Sequence, residues 1–259
     1  MTTDHPEPST VYNTTLVPGV RKIAVLRSNG IGDFMFCLPA LEALRHAYPE
    51  AEIVLLGLDW HSEFMEGRPG PIDRVEVIPP IAGIRNAPDG ARDPAEVECF
   101  FGRMEAERFD IALQMHGGGR NSNPVVRRLG ARITAGARTA DAIPLDRWIP
   151  YIFYQPEVMR YLEIAALVGA RQVSLEPSLV ITEKDIEEAN HLLPASPKPL
   201  VVLHPGAGDP RRRWPVENFA AVGKALARAG AQCTVIGSGP ECRLADRLVG
   251  MMSGEAENL

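Results

Sequence analysis

Apolar strand-like runs and helical stripes alternate along most of this chain. The runs typical of buried strands lie at residues 22–26, 52–57, 74–79, 109–116 and 131–137. Helical patterns lie between several of them, and a further helix is predicted over 157–168, ending at Gly169. Such alternation predicts a parallel sheet covered by helices, a Rossmann-like α/β arrangement.

A second series of the same kind begins at Pro199. A predicted strand over 200–204 leads into the loop 205–214, a helix is expected from Pro215, and the next strand ends at Gly237. Because residues 170–180 have the pattern of a connector, we expect two Rossmann-like domains that face each other across a cleft. The expected division is a flexible tail at 1–20, a first domain at 21–170 and a second domain at 171–259.

The turn between the first strand and its helix carries the first candidate for chemistry. Gly30 and Gly32 bracket this turn, and Asp33 stands at the start of the helix. A carboxylate at the carboxyl edge of a strand lies where open α/β sheets bind ligands. Asp33 could equally be a helix N-cap, which is the commoner role of such a residue. A dinucleotide fingerprint is excluded, since Met35 stands where that motif needs glycine.

The loop after the strand at 200–204 is the second candidate. Gly206 and Gly208 allow backbone N–H groups to approach a ligand, and the following helix offers its positive N-terminus. Three adjacent arginines, residues 211–213, add positive charge, so the loop predicts a site for a phosphate-bearing ligand. The competing interpretation is a solvated basic loop.

A third glycine-rich segment follows the strand at 109–116. His116 precedes three glycines, which is similar to the oxyanion loop of esterases, but no G-x-S-x-G motif occurs in the sequence. We therefore expect this segment to be a strand exit that lines the cleft. The histidines form no H-x-x-x-H pair and there is no D-x-D, so neither a metal site nor another cofactor is predicted.

Charge and composition narrow the class of protein. The 259 residues include 27 basic and 33 acidic side chains, a net charge of -6, so no general positive field for nucleic acid is expected. The four cysteines have no C-x-x-C spacing, which indicates reduced thiols in a cytoplasmic protein. The first 20 residues lack a secretory signal pattern, and no apolar run approaches a membrane span, so any membrane contact should be peripheral.

Four motifs together resemble glycosyltransferase family 9, the ADP-heptose:lipopolysaccharide heptosyltransferases. IGDFMFCLPALEALRHAYPEAEI is similar to the family's S-x-x-G-D-x-x-x-x-L-P-A-L opening, and FDIALQMHGGGRNS to its F-D-x-x-I-D-L-Q-G-x-x-R-S stretch. LHPGAGDPRRRWPVENFAAV resembles the H-P-G-(x)n-K-R-W-P-x-x-x-F segment, and VIGSGPE the G-G-P-x-E nucleotide turn. The motifs occur in family order between Arg21 and Glu241.

This resemblance implies a GT-B fold and an inverting, metal-independent transfer of a sugar, such as a heptose, from a nucleotide diphosphate donor such as ADP-heptose to a lipopolysaccharide-type or other glycan acceptor. Asp33 matches the family's general base. The remaining matched positions are implied to bind the two substrates. They are Gly206, Ala207, Gly208, Arg212 and Arg213 for the donor phosphates, Gly237 and Glu241 for the nucleotide, and Gly30, Gly32, His116 and Arg120 for the cleft and acceptor loop. The implied partners are a nucleotide sugar and a glycan or lipid-linked sugar acceptor, at the inner face of the membrane.

The sequence also departs from the family pattern. It carries no D-S-G-P-x-H donor motif, and it stops where a third strand of the second domain should begin, so we expect that domain to be incomplete. Gln114 and His116 stand where the family usually has acidic and glutamine residues. Two alternatives remain: a nucleotide-sugar binding module or truncated inactive transferase, and a nucleotide-sugar epimerase of GT-B architecture, which would need further acid and base groups.

Overall fold

The computed structural model describes residues 15–86, 93–193, 196–237, 239–252 and 256–258. Most of the predicted tail at 1–20 and Ser238 of the second glycine turn therefore lie outside the described residues. The chain divides into two compact units, the first ending at Val180 and the second beginning at Ile181.

The first unit is built on a fully parallel six-stranded sheet. Its strands are β1 (Lys22–Leu26), β2 (Glu52–Gly57), β3 (Arg74–Val77), β4 (Ile111–Gln114), β5 (Ile133–Arg138) and β6 (Arg147–Pro150). They lie in the order β3-β2-β1-β4-β5-β6, with Val25 opposite Leu55 of β2 on one side and Leu113 of β4 on the other. This is the strand order of a Rossmann sheet, so the predicted α/β class with parallel sheets is confirmed.

Helices cover both faces of this sheet. They are α1 (Ile31–Ala47), α2 (Asp59–Met65), α3 (Pro94–Ala106), α4 (Ser122–Arg128) and α5 (Glu157–Ala166). Ile23 and Val25 of β1 belong to the core beneath α1 and α5, whereas Ala24 and Leu26 belong to the core beneath α3 and α4. A strand buried on both faces reads as a continuous apolar run, which is the pattern of β1.

The second unit contains a smaller parallel sheet. Its strands are β7 (Leu200–Leu203), β8 (Gln232–Val235) and β9 (Ala256–Asn258), in the order β7-β8-β9. Its helices are α6 (Glu183–Leu192), α7 (Val216–Arg228) and α8 (Cys242–Met252), and two 3₁₀ turns lie at Pro210–Arg212 and Gly239–Glu241. The third strand, expected to be missing, is therefore present.

Two local expectations need correction. Gly30 is the N-cap of α1 and Asp33 lies in its first turn, so the interpretation of Asp33 as the N-cap is wrong. Helix α7 begins at Val216 with Pro215 as its N-cap, and a 3₁₀ turn separates it from the glycine loop. No helix among the described residues has both the length and the apolar character to cross a membrane.

Candidate functional site

The strand order of the first unit reverses direction at the boundary between β1 and β4. From β1 the chain proceeds to β2 and β3 on one side, and from β4 to β5 and β6 on the other. Ligands of open α/β sheets bind outside the carboxyl ends of the strands at such a switch point. Arg27 and the turn before Asp33 leave the end of β1, while Met115 and His116 leave the end of β4.

A buried arginine connects these two strand ends. Arg27 is 2% exposed, and its Nη1 donates to the carbonyl oxygen of Met115 at 2.8 Å. Its Nη2 lies 3.0 Å from Oδ1 of Asp33, and its Nε donates to the backbone oxygen of the same residue at 3.2 Å. The guanidinium carbon lies 4.9 Å from the centre of the Tyr161 ring. A buried charge needs such a partner, and the carboxylate of Asp33 supplies it.

The carboxylate of Asp33 remains accessible on its other side. Its side chain is 46% exposed, and Oδ2 forms no hydrogen bond or ion pair with the described residues. The positions that a Cβ atom would occupy at Gly30 and Gly32 are open space, with no heavy atom within 4 Å. The turn thus leaves room beside the accessible carboxylate oxygen, where a hydroxyl group could approach within hydrogen-bond distance.

His116 is neutral at pH 7 in this setting. Burial, and next the charge of Arg27, lower its pKa to about 4, although Asp33 and a backbone hydrogen bond with Gly83 act in the opposite direction. The amide of Ser28 donates to Nδ1 at 3.4 Å. Nδ1 therefore serves as an acceptor, which fixes the tautomer with the proton on Nε2.

The three glycines after His116 form a tightly packed turn. The side-chain Nε2 of Gln114 donates to the carbonyl oxygens of His116 at 2.6 Å and Gly117 at 3.0 Å. At Gly119, where φ is +89°, a Cβ atom would lie 2.7 Å from the carbonyl oxygen of Ala137. Glycine is therefore required by packing at this position.

This turn lines a cavity of about 370 Å³ at the carboxyl ends of β4, β5 and β6. Polar side chains on its wall include those of Arg120, Asn121, Thr139, Asp141 and Tyr151. The Nε atom of Arg120 lies 3.6 Å from Oδ2 of Asp141, and the Arg120 side chain is 78% exposed. The cavity offers both hydrogen-bond donors and acceptors, as a sugar with several hydroxyl groups requires.

In the second unit, the strand exits of β7 and β8 meet at Glu241. Its Oε2 lies 3.3 Å from Nε2 of His204, and a Cβ atom at Gly206 would lie 2.1 Å from its Oε1. A Cβ atom at Gly237 would lie 3.3 Å from the Cβ of Glu241. The structure thus brings together four residues from the two predicted donor motifs.

The three arginines of the loop have different partners. Arg211 binds Asp209 through Nη2 at 2.7 Å, and this hydrogen bond lowers the pKa of the Asp209 carboxyl. The Nε of Arg213 donates to the carbonyl oxygen of Ala207 at 3.0 Å. The exposed side chain of Arg212 forms no hydrogen bond or ion pair within the described part of the chain. Gly208 has nothing within 4 Å of its Cβ position, so the loop is open beside it.

Sequence reasoning identified Asp33 and the loops but missed Arg27, Ser28 and Tyr161. One signal was available for Arg27, a charged residue directly after a buried strand and before a glycine-rich turn. Within the described ranges, no group of three or more His, Cys, Asp or Glu side chains has the geometry to hold a metal ion.

Comparison with known proteins gives a family and a fold. The family model described as glycosyltransferase family 9 (heptosyltransferase) matches residues 99–259. No curated protein sequence matches significantly. Among solved structures, a glycosyl transferase family 9 protein from Veillonella parvula is 19% identical with a TM-score of 0.74, and the match covers 92% of this chain and 69% of that one.

Two proteins of E. coli are also similar in structure. ADP-heptose lps heptosyltransferase II is 20% identical with a TM-score of 0.72, covering 92% of this chain and 72% of that one. Heptosyltransferase WaaC with ADP is 20% identical with a TM-score of 0.62, covering 92% of this chain and 74% of that one. At these identities the structural matches establish the shared GT-B fold.

Proposed function

Because the chain belongs to glycosyltransferase family 9, the heptosyltransferase family, we propose that it transfers a heptose from ADP-heptose to a glycan acceptor of the lipopolysaccharide type. The transfer inverts the anomeric carbon and uses no metal ion. The accessible Oδ2 of Asp33, at the switch point between β1 and β4, is the observation that carries this proposal.

Asp33 acts as the general base in this reaction. Its Oδ2 removes the proton from an acceptor hydroxyl while the hydroxyl oxygen attacks the anomeric carbon of the donor. A new glycosidic bond forms on the face opposite to the departing ADP, and the bond between the sugar and the diphosphate breaks. Positioned bases of this kind contribute about 10²–10⁴ in rate.

The loop after β7 binds the diphosphate of the donor. Arg212 is the arginine of this loop whose side chain forms no hydrogen bond or ion pair with the described residues, and Gly206, Ala207 and Gly208 bring the backbone close to the ligand. Arg213 supports the loop through Ala207 and adds positive charge. These groups stabilise the charge that develops on the leaving diphosphate. Gly237 and Glu241 contact the nucleoside, with the carboxylate accepting hydrogen bonds from ribose hydroxyls.

The first unit binds the acceptor. The cavity of about 370 Å³ places Arg120 beside the glycine turn that follows His116, and this turn begins at the same strand edge as Asp33. A neutral His116 lines this cavity but carries no positive charge at pH 7, and its ring already has hydrogen-bond partners in Ser28 and Gly83. With a nucleotide-sugar donor and a lipid-linked acceptor, the protein would act in the cytoplasm with peripheral contact to the inner membrane face.

Release of ADP from ADP-heptose tests the proposal. The purified chain is incubated with ADP-heptose and a lipopolysaccharide core oligosaccharide, with and without EDTA, and the product is examined by mass spectrometry and NMR. We expect ADP release that depends on the acceptor, is insensitive to EDTA and yields an inverted linkage. ADP binding without any turnover would instead favour a nucleotide-sugar binding module.

A further inference from the structure

Arg27 is held so completely that its guanidinium has little freedom to move. Each of its three nitrogens has a contact: Nη1 with Met115 at 2.8 Å, Nε with the backbone oxygen of Asp33 at 3.2 Å, and Nη2 with Oδ1 of Asp33 at 3.0 Å. The ring of Tyr161 lies 4.9 Å away. The planar guanidinium of an arginine can donate in these three directions at once, whereas the ammonium of a lysine cannot.

The support behind Arg27 is itself buried. The Tyr161 side chain is 1% exposed, and its hydroxyl donates to Glu157 at the start of α5. Glu157 also pairs with the buried guanidinium of Arg160. The groups that face Asp33 are thus Arg27, which follows β1, His116, which follows β4, and, behind Arg27, Tyr161 of α5. Arg27, with Tyr161 packed behind it, therefore contacts the Asp33 carboxylate on the Oδ1 side.

We propose that Arg27 is the positioning residue for Asp33, holding Oδ1 so that Oδ2 is presented to the acceptor hydroxyl. This inference rests on the proposed role of Asp33 as the general base. The backbone contact from Nε to Asp33 fixes the first turn of α1, and the contact from Nη2 fixes the rotamer of the carboxylate. Proton transfer needs an oxygen within hydrogen-bond reach of the hydroxyl, so a rotated carboxylate would be a poor base even if it were ionised.

Two substitutions separate positioning from general support of the fold. Arg27→Gln removes the charge and the planar guanidinium, while Arg27→Lys keeps the charge without the planar guanidinium. Arg45→Lys is the matched control, because Arg45 likewise pairs with an aspartate, Asp73, and donates to the carbonyl oxygens of Pro49, Ala51 and Pro71. Thermal unfolding of all three variants establishes the loss of stability that each change causes.

Steady-state kinetics with ADP-heptose and the core oligosaccharide give the first measurement. We expect Arg27→Gln to lower kcat about 100-fold with the KM for ADP-heptose unchanged, since a displacement of about 1 Å can cost this much. Arg27→Lys should recover part of kcat, and Arg45→Lys should match the unaltered protein. Equal kcat in Arg27→Gln and the control would overturn the proposal, as would a rise in donor KM without a change in kcat.

Crystal structures of the same variants provide a measurement that needs no turnover. We expect the Asp33 carboxylate to leave its rotamer in Arg27→Gln while α1 keeps its position. An unchanged rotamer would contradict the positioning role. If the carboxylate moves but the unaltered protein transfers no sugar, the proposed function fails and the structural part of this inference stands.

Discussion

The carboxylate of Glu241 occupies the space that a side chain at position 206 would fill. Its Oε1 would lie 2.1 Å from a Cβ atom on Gly206, and its Oε2 lies 3.3 Å from Nε2 of His204. Glycine at position 206 is therefore a condition for this carboxylate to rest against the exit of β7. This contact therefore links the loop 205–214, which follows β7, to the turn that follows β8.

Gly206→Ala should displace the Glu241 carboxylate and weaken ADP binding. If Glu241 holds the nucleoside by charge-assisted hydrogen bonds, the loss is about 1.5–3 kcal/mol. Gly250→Ala is the control, because Gly250 lies in helix α8, outside the proposed nucleotide site, and a Cβ atom there would meet nothing within 4 Å. Calorimetric titration with ADP measures both. Equal affinity in the two variants would remove Glu241 from the nucleotide site.

Asp33→Asn should abolish transfer while leaving ADP binding nearly intact. Asparagine keeps the shape of the side chain but cannot take the proton, so the effect falls on kcat, about 10²–10⁴-fold. The variant should also be less stable, because the buried guanidinium of Arg27 loses its charged partner. Steady-state kinetics measures kcat, and calorimetric titration measures the affinity for ADP. A near-normal kcat would leave Asp33 only the structural role of pairing with Arg27.

Arg212→Ala should weaken ADP binding more than Arg211→Ala does. A charge-assisted contact to phosphate contributes about 1.5–3 kcal/mol, or about 10- to 150-fold in affinity. Arg211 is already paired with Asp209, so its removal should cost less. Titrations at two salt concentrations measure how much of the binding free energy comes from charge–charge interactions. Unchanged affinity of Arg212→Ala at both would identify the loop as a solvated basic segment.

The first unit should lose stability as the pH falls from about 6.5 to 4, where 6.5 is the ordinary histidine pKa. Burial, and next the charge of Arg27, lower the pKa of His61 to about 4, and the pKa of His116 is also about 4. In this window the unfolded chain binds protons that the folded chain does not, so stability rises with pH. Each histidine can contribute at most about 3 kcal/mol.

His61→Asn should flatten this pH dependence, since an amide oxygen can replace Nδ1 as the acceptor for the Leu58 amide. His46→Asn is the control, because His46 is exposed. Denaturant unfolding at pH 7 and pH 4.5 measures the difference. Identical slopes for the two variants would show that His61 does not titrate on unfolding in this range.

Hydrogen exchange should be faster in the second unit than in the first. Helix α6 has no buried residue, and Leu200 and Val202 of β7 are each 49% exposed. By contrast, β1 and β4 are buried on both faces in the first unit. Local opening is easier where few apolar contacts protect the backbone. Slower exchange in β7 than in β4, measured by mass spectrometry, would contradict this expectation.

How far the sequence predicts the fold depends on burial. The strand at 52–57 is predicted with the bounds that the structure has, because Ile53 to Leu56 are fully buried and form an uninterrupted apolar run. Strand β6 was missed, since in Arg147–Pro150 only Ile149 is buried and an edge strand has no such run. Helix α6 was also missed, although Thr182 and Asp185 form a capping box at its start.

For the candidate site too, some residues could be predicted from the sequence and others could not. Glycines and charged residues near strand ends predict where Asp33 and the loop 205–214 lie, since carboxyl ends of parallel strands share one edge. The burial of Arg27 depends on Met115, 88 residues away along the chain, and on Tyr161. No local pattern contains these partners, so the arginine could not be assigned from sequence.

That separation of 88 residues also bears on how the protein folds. The segment from β1 to α1 can form its turn locally, but the guanidinium of Arg27 and the imidazole of His116 find their backbone partners only when β4 lies beside β1. Strands β2 and β3 and their connections lie between β1 and β4 in the sequence, and long-range pairing of this kind is slow. The chain therefore gains the arrangement around Asp33 together with the β1–β4 pairing, so a nascent polypeptide shorter than about 116 residues would have the aspartate without the geometry that makes it a base.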